Sequence, residues 1–74
     1  MKLPVCSGRD AVRVFERAGW TVDRQRGSHL SMFKPNHPVV LTVPLHRELD
    51  RGLLRGLIRT SGLSVEEFVR LLKG

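Results

Sequence analysis

The sequence predicts an α+β domain: one helix, a three-stranded antiparallel sheet, a closing helix and a short extra C-terminal helix, with the helices on one sheet face and the other face open. Three observations predict it. Apolar residues recur at helical spacing near the N-terminus and again in the last third, they alternate in the middle, and Gly or Pro punctuates each change of period. No linker, repeat or low-complexity tract interrupts residues 1–74, which read as a single domain.

Residues 7–19 form the first predicted helix. Ser7 followed by Asp10 resembles a capping box, Ala11, Val12, Phe15 and Ala18 keep helical spacing, and Gly19 can close the end. Arg9, Arg13 and Arg17 recur every four residues on its other side, flanked by Asp10 and Glu16. Residues 20–26, 29–34 and 39–43 read as three short strands joined by two hairpins. If the buried face carries Trp20, Val22, Leu30 and Met32, a three-residue loop Gln25-Arg26-Gly27 pairs Arg24 with Ser28 and Val22 with Leu30. His29 then faces outward, opposite Asp23. A two-residue Gly27-Ser28 turn would instead place His29 on the face of Val22 and Trp20. After Pro44-Leu45-His46, residues 50–61 read as a helix with Leu53, Leu54, Leu57 and Ile58 as its apolar stripe and Gly62 beyond its end. Ser64 and Glu67 fit a second capping box, and Val65, Phe68, Leu71 and Leu72 would cover the remaining core edge.

A 74-residue chain buries only about 60% of the surface that its unfolded form exposes, so the core is small. Small domains are commonly reinforced by a disulfide, a metal or a partner. The lone Cys6 cannot form an internal disulfide, and Cys6, His29, His37 and His46 make no zinc-type spacing, which leaves a partner. No metal site and no cofactor are expected. The N-terminal residues lack the apolar region of a signal peptide and no window approaches a membrane span, so a cytosolic protein with no membrane contact is expected.

Thirteen Lys and Arg against seven Asp and Glu give a formal net charge of +6, which points to an anionic polymer as ligand, with a merely solvated charged surface as the equal alternative on composition alone. Ten of the thirteen are arginine, whose planar fork grips phosphate at two points and stacks on bases. A second basic row, Arg47, Arg51, Arg55 and Arg59, repeats the spacing of the first, and Arg51, Arg55 and Arg59 form a slanting stripe beside the leucine face.

Four ordered pieces carry a family resemblance: the α-β-β-β-α order, the segment Arg24-Gln25-Arg26-Gly27-Ser28-His29, the run Val43-Pro44-Leu45-His46, and Gly52-Leu53-Leu54-Arg55 continuing to Ser61-Gly62-Leu63-Ser64. The opening Lys2-Leu3-Pro4, then Ser7-Gly8 and a helix ending at Gly19-Trp20, fits as well. Together they resemble the HicA family of bacterial toxins over nearly the whole chain. Cys6, where an apolar residue is more usual, and Leu30 after the histidine are mild departures. The resemblance implies a double-stranded-RNA-binding-domain-like fold, ribonuclease activity on mRNA, neutralisation by a HicB-type antitoxin, contact with DNA only through the antitoxin complex, and a catalytic role for His29.

By spacing alone His29 reads as an ordinary surface histidine; the resemblance makes it the candidate catalyst. RNA can be cut without metal when its 2'-hydroxyl loses a proton and attacks the neighbouring phosphate while the leaving 5'-oxygen gains one. An imidazole, with an ordinary pKa of about 6.5, suits either transfer. The small Gly27 and Ser28 let a phosphate approach, and Arg24, Arg26 and Lys34 are placed to attract it. Arg51 and Arg55 are further RNA-binding candidates, since domains of this class grip backbone phosphates from helices. The chain has no tyrosine, so His46 is the alternative second proton carrier, although Pro44-x-His46 also reads as a structural bend; Asp23 is a candidate to orient His29. A non-catalytic RNA-binding module of the same fold, and a DNA-reading helix-turn-helix over residues 57–72, are the competing readings. Glu66 and Glu67 at the leading end of that unit's second helix oppose the latter.

Overall fold

The first helix begins where its cap signal lies. In the computed structural model, which describes residues 2–74, α1 (Gly8–Arg17) starts after Ser7. The Ser7 hydroxyl accepts from the Asp10 N–H at 3.0 Å, and the Asp10 carboxylate accepts from the Ser7 N–H at 3.2 Å. This reciprocal box satisfies two donors that the helix leaves orphaned. The helix ends one residue earlier than its pattern implies. Ala18 is the C-cap, and Gly19, at φ +99°, makes the left-handed reversal, with its N–H on the Glu16 carbonyl and the Trp20 N–H on that of Phe15.

Three strands follow, β1 (Thr21–Arg26), β2 (His29–Phe33) and β3 (Leu41–Pro44), antiparallel in the order β1-β2-β3, so β2 is central. The β1–β2 connection corrects the expected three-residue loop. Arg26 pairs with His29 and Gln25 with Leu30, so the turn is the two-residue Gly27-Ser28. Its φ is positive only at Gly27, at +56°, the first central position where a hairpin turn of this kind demands glycine. The pairing Arg24 with Ser28 and Val22 with Leu30 is therefore not formed. A bulge explains why. Arg24 pairs with Ser31 and Val22 with Met32, leaving Asp23 as an extra residue in β1. The extra residue shifts parity by one, so Val22 sits beside buried Met32 while His29, one turn away, still points outward. An uninterrupted ladder could satisfy only one of those conditions with a two-residue turn.

The strand predicted at 39–43 begins at Leu41; Val39 and Val40 are exposed, and the chain enters the sheet only after the Pro35–Pro38 turn, where Asn36 adopts φ +65°. Trp20, expected in the first strand, precedes it and is buried, its ring in edge contact with His37 at a centroid distance of 4.8 Å.

The last helices are α2 (Arg51–Ser61), capped by Asp50 and closed by left-handed Gly62, and α3 (Val65–Lys73), opened by the predicted Ser64–Glu67 box. Leu54 and Ile58 of α2 are buried where the helix packs against β3 and α3, but Leu53, expected in the same stripe, is exposed. Strand residues Leu30, Met32, Leu41 and Val43 close the core from one side, and Val14, Phe15, Leu54, Ile58 and Phe68 from the other. Phe15 and Phe68 meet at 5.7 Å between centroids and 55° between planes, joining α1 to α3. Each buried side chain of this size contributes about 1.5–3 kcal/mol. All three helices thus lie on the inner face, and the opposite sheet face is open.

Candidate functional site

His29 opens β2 and follows the Gly27-Ser28 turn. Its neighbour Leu30 is buried in the core, so the alternation of a strand directs the imidazole to the open face, where it is exposed. Two residues flank it across the sheet: Arg26 on β1 and Pro44 on β3. Directly paired residues hold their Cβ atoms about 4.5–5.5 Å apart, so the Arg26 side chain rises beside the imidazole. Arg24, paired with Ser31, shares that face one step further along.

This end of the sheet is held by backbone ties. The Ser28 carbonyl accepts from the Leu45 N–H at 2.6 Å, the His46 carbonyl accepts from the Gly8 N–H at 2.9 Å, and the Cys6 carbonyl accepts from the Leu49 N–H at 2.9 Å. The turn, the chain after β3 and the start of α1 are thereby locked together. The fit is tight enough to exclude a side chain at Gly8: a Cβ there would lie 2.0 Å from the Pro44 carbonyl oxygen. The Ser7-Gly8 pair signalled a helix start, but nothing local in it signalled this approach, which depends on residues more than thirty positions away.

The structure brings His29, Arg24, Arg26, Gly27 and Ser28 together and separates the other predicted residues from them. Lys34 stands beyond the opposite end of β2, five residues or about 16 Å from His29. Its side chain runs past Gly19. Asp23, expected opposite His29, is the bulged residue three positions from Arg26, about 10 Å along β1, and the register removes it as the orienting partner. His29 also lies on the central strand, not on a sheet edge. Arg51 and Arg55 stand on α2, on the helical side of the molecule; Arg55 and Arg59 border a shallow groove with Ile58, Leu63, Ser64 and Val65. His46 is exposed two residues beyond Pro44, tied through its carbonyl. His37 is structurally engaged: its Nδ1 accepts from the Val39 N–H at 3.3 Å and its ring meets Trp20.

Arg9 and Arg13, read only as part of a basic row, gain a more definite place. With Val12 and Glu16 of α1 they line a groove whose remaining walls are Leu30 and Leu45, the residues next to His29 and Pro44. Arg13 also pairs with Asp10, and Arg17 donates to the Leu71 carbonyl at 2.6 Å, so part of this row stabilises the fold.

Electrostatics at the remaining groups are simple. Burial, aided by the negative charge of Asp10, pushes the Cys6 thiol above its ordinary value, which keeps it protonated and poorly nucleophilic. Hydrogen bonds from Ser7 hold the Asp10 carboxyl below the usual range, with Arg13 adding to the effect. Among the described residues no three of His, Cys, Asp and Glu converge as metal ligands, and no helix is long and apolar enough to cross a membrane.

No curated protein matches this chain significantly. A chain of a solved structure described as a toxin-antitoxin complex from Streptococcus pneumoniae is similar to it, with 31% identity and a TM-score of 0.68 over 77% of this chain and 97% of that one. The fold of this chain is the double-stranded-RNA-binding-domain-like arrangement of α-β-β-β-α, followed by an added helix. The family model described as the HicA toxin of bacterial toxin-antitoxin matches residues 8–63, a stretch that runs from the tightly packed Gly8 through the His29 turn to the end of α2. Sequence family and topology agree, and the chain belongs to the HicA family of toxins.

Proposed function

We propose that this toxin is a metal-independent endoribonuclease that cuts mRNA, with His29 as general acid or base. The observation that carries the reading is the pairing of exposed His29 with Arg26 across a glycine-serine turn on an uncovered sheet face. In the reaction the 2'-oxygen of the nucleotide loses its proton and bonds to phosphorus, the bond to the 5'-oxygen breaks, and that oxygen takes up a proton. The products are a 2',3'-cyclic phosphate and a 5'-hydroxyl. His29 moves one of the two protons. Exposed His46, at the same end of the sheet, or water moves the other.

Arg26 and Arg24 supply positive charge where the phosphate gains negative charge, and such electrostatic stabilisation can rival the proton transfer itself. The Gly27-Ser28 turn offers little steric bulk to an incoming backbone. Arg51 and Arg55 on α2 and Lys34 at the far end of β2 act as outlying phosphate contacts, which raise affinity without touching the reacting atoms. A HicB-type antitoxin neutralises the toxin in the cytoplasm, and DNA is met only through that complex. The membership in a toxin family and the likeness to a chain of a toxin-antitoxin complex support an antitoxin partner.

Cleavage of RNA in EDTA by the purified protein tests this reading. His29→Ala should lose about 10²- to 10⁴-fold in cleavage rate while keeping RNA binding, because His29 is exposed and its removal leaves the core intact. Binding without cleavage by the unaltered chain would make it a non-catalytic RNA-binding module instead.

A further inference from the structure

The open sheet face is graded from one end to the other. Against buried Leu30, Met32, Leu41 and Val43, strand alternation directs His29, Ser31 and Phe33 of β2, Arg24 and Arg26 of β1 and Thr42 of β3 outward. The cations and the imidazole occupy the turn end and hydroxyls the middle. Phe33, 41% exposed and paired with Thr21, occupies the far end beside Val40, which directly precedes β3 and is 54% exposed. Of the seven acidic residues only Asp23 lies in the sheet; the others are on α1, on α3 or in the segment leading into α2. A chain with a net charge of +6 thus keeps a nearly carboxylate-free sheet face, with one aromatic ring exposed on the strand that carries His29.

We propose that this face binds single-stranded RNA along β2, with a nucleobase stacked on Phe33 while a phosphate a short run away lies at His29 and Arg26. The proposal rests on the ribonuclease reading of His29 and specifies its substrate. From His29 to Phe33 is four residues, about 13 Å, so RNA placed at the imidazole and following the strand passes Ser31 and Thr42 and reaches the ring. Those hydroxyls can bond to sugar or phosphate. Stacking is available only to a base that is free of pairing, because a duplex presents backbone and groove edges and keeps its base faces covered. The usual duplex-binding mode of this fold reads shape and would have no use for Phe33. A protein partner could also cover an exposed phenylalanine, but the cationic, carboxylate-poor remainder of the face and its continuity with His29 favour a polyanion.

The test uses His29→Ala protein, so that the RNA stays whole, and compares a short unpaired oligoribonucleotide with the same strand annealed to its complement. Phe33→Leu should weaken binding of the unpaired strand about tenfold and leave binding of the duplex unchanged, whereas Phe33→Trp should retain or tighten it. Thermal unfolding of each variant establishes that this exposed substitution leaves the fold intact. Equal affinities of Phe33→Leu and Phe33 proteins for the unpaired strand, or an equal loss on both RNAs, would overturn the proposal. So would a Phe33→Leu protein that binds RNA normally but no longer co-purifies with its antitoxin. Cleavage distinguishes the two readings: RNA cutting with an indifferent Phe33 removes only the stacking platform, while Phe33-dependent binding without cutting removes only the catalytic role of His29.

Discussion

Arg26 pairs directly with His29 across the two-residue Gly27-Ser28 turn, placing a cationic side chain on the same open face of the sheet as the exposed imidazole. A phosphate brought to the imidazole meets the guanidinium at the same time. The relationship follows from backbone register, so it does not depend on a mobile loop.

Arg26→Ala should therefore lower RNA cleavage about tenfold or more, since a hydrogen bond to a charged group is worth about 1.5–3 kcal/mol. It should also reduce the slope of log affinity against log salt by about 1, as expected for one lost phosphate contact. Titrating binding and rate across salt concentrations measures both. A full loss of affinity with an unchanged slope would remove Arg26 from the phosphate.

Asp23→Asn should leave the rate and its pH dependence unchanged. Asp23 is the bulged residue of β1, about 10 Å along the strand from Arg26, and cannot orient His29. A shifted pH–rate profile in this variant would contradict the register.

Gly8→Ala should destabilise the fold by about 1–3 kcal/mol, because its Cβ would overlap the Pro44 carbonyl oxygen and force α1 away from the chain after β3. For a chain of this size that is a fall in Tm of about 4–8 °C per kcal/mol. Calorimetry measures it. Gly56→Ala is the matched control: no atom lies near a Cβ at that helical position, so this change should be neutral or mildly stabilising.

Stability should fall in acid. Hydrogen bonds from Ser7 and Ser64 hold the Asp10 and Glu67 carboxyls below their ordinary values, so the folded state binds their protons less readily than the unfolded chain. Their contribution is fully present above the unfolded values of about 4 and is lost as pH drops through the lower folded values. Ser7→Ala should cost about 0.5–2 kcal/mol at neutral pH and make unfolding less steeply acid-dependent below pH of about 4. Urea unfolding followed over pH measures both effects; an unchanged acid dependence would detach the Ser7 cap from Asp10.

Much of the fold was legible because it is encoded locally. Ser7 with Asp10 and Ser64 with Glu67 cap their helices, Gly62 closes α2, and the alternation of Leu30, Met32, Leu41 and Val43 selects the buried side of the sheet. Each signal needs only residues within a few positions, and burial of apolar surface rewards the one arrangement that satisfies them all. His29 was legible as a candidate only through the ordered family pattern, since an exposed histidine on a strand carries no local mark of chemistry.

What only tertiary structure decided are relations between segments. Strand parity allowed two hairpin turns, and the two-residue turn conflicted with placing Val22 on the inner face while His29 points outward. One extra residue at Asp23 resolves the conflict, and whether a bulge forms depends on how β1 packs over α1 and β2, which no local pattern records. The need for glycine at position 8 comes from the Pro44 carbonyl across the fold. The grouping of His29 with Arg24 and Arg26, and the separation of Asp23 and Lys34 from it, have the same origin. Composition determines that the chain is cationic, but only the paired strands determine which cations stand beside which imidazole.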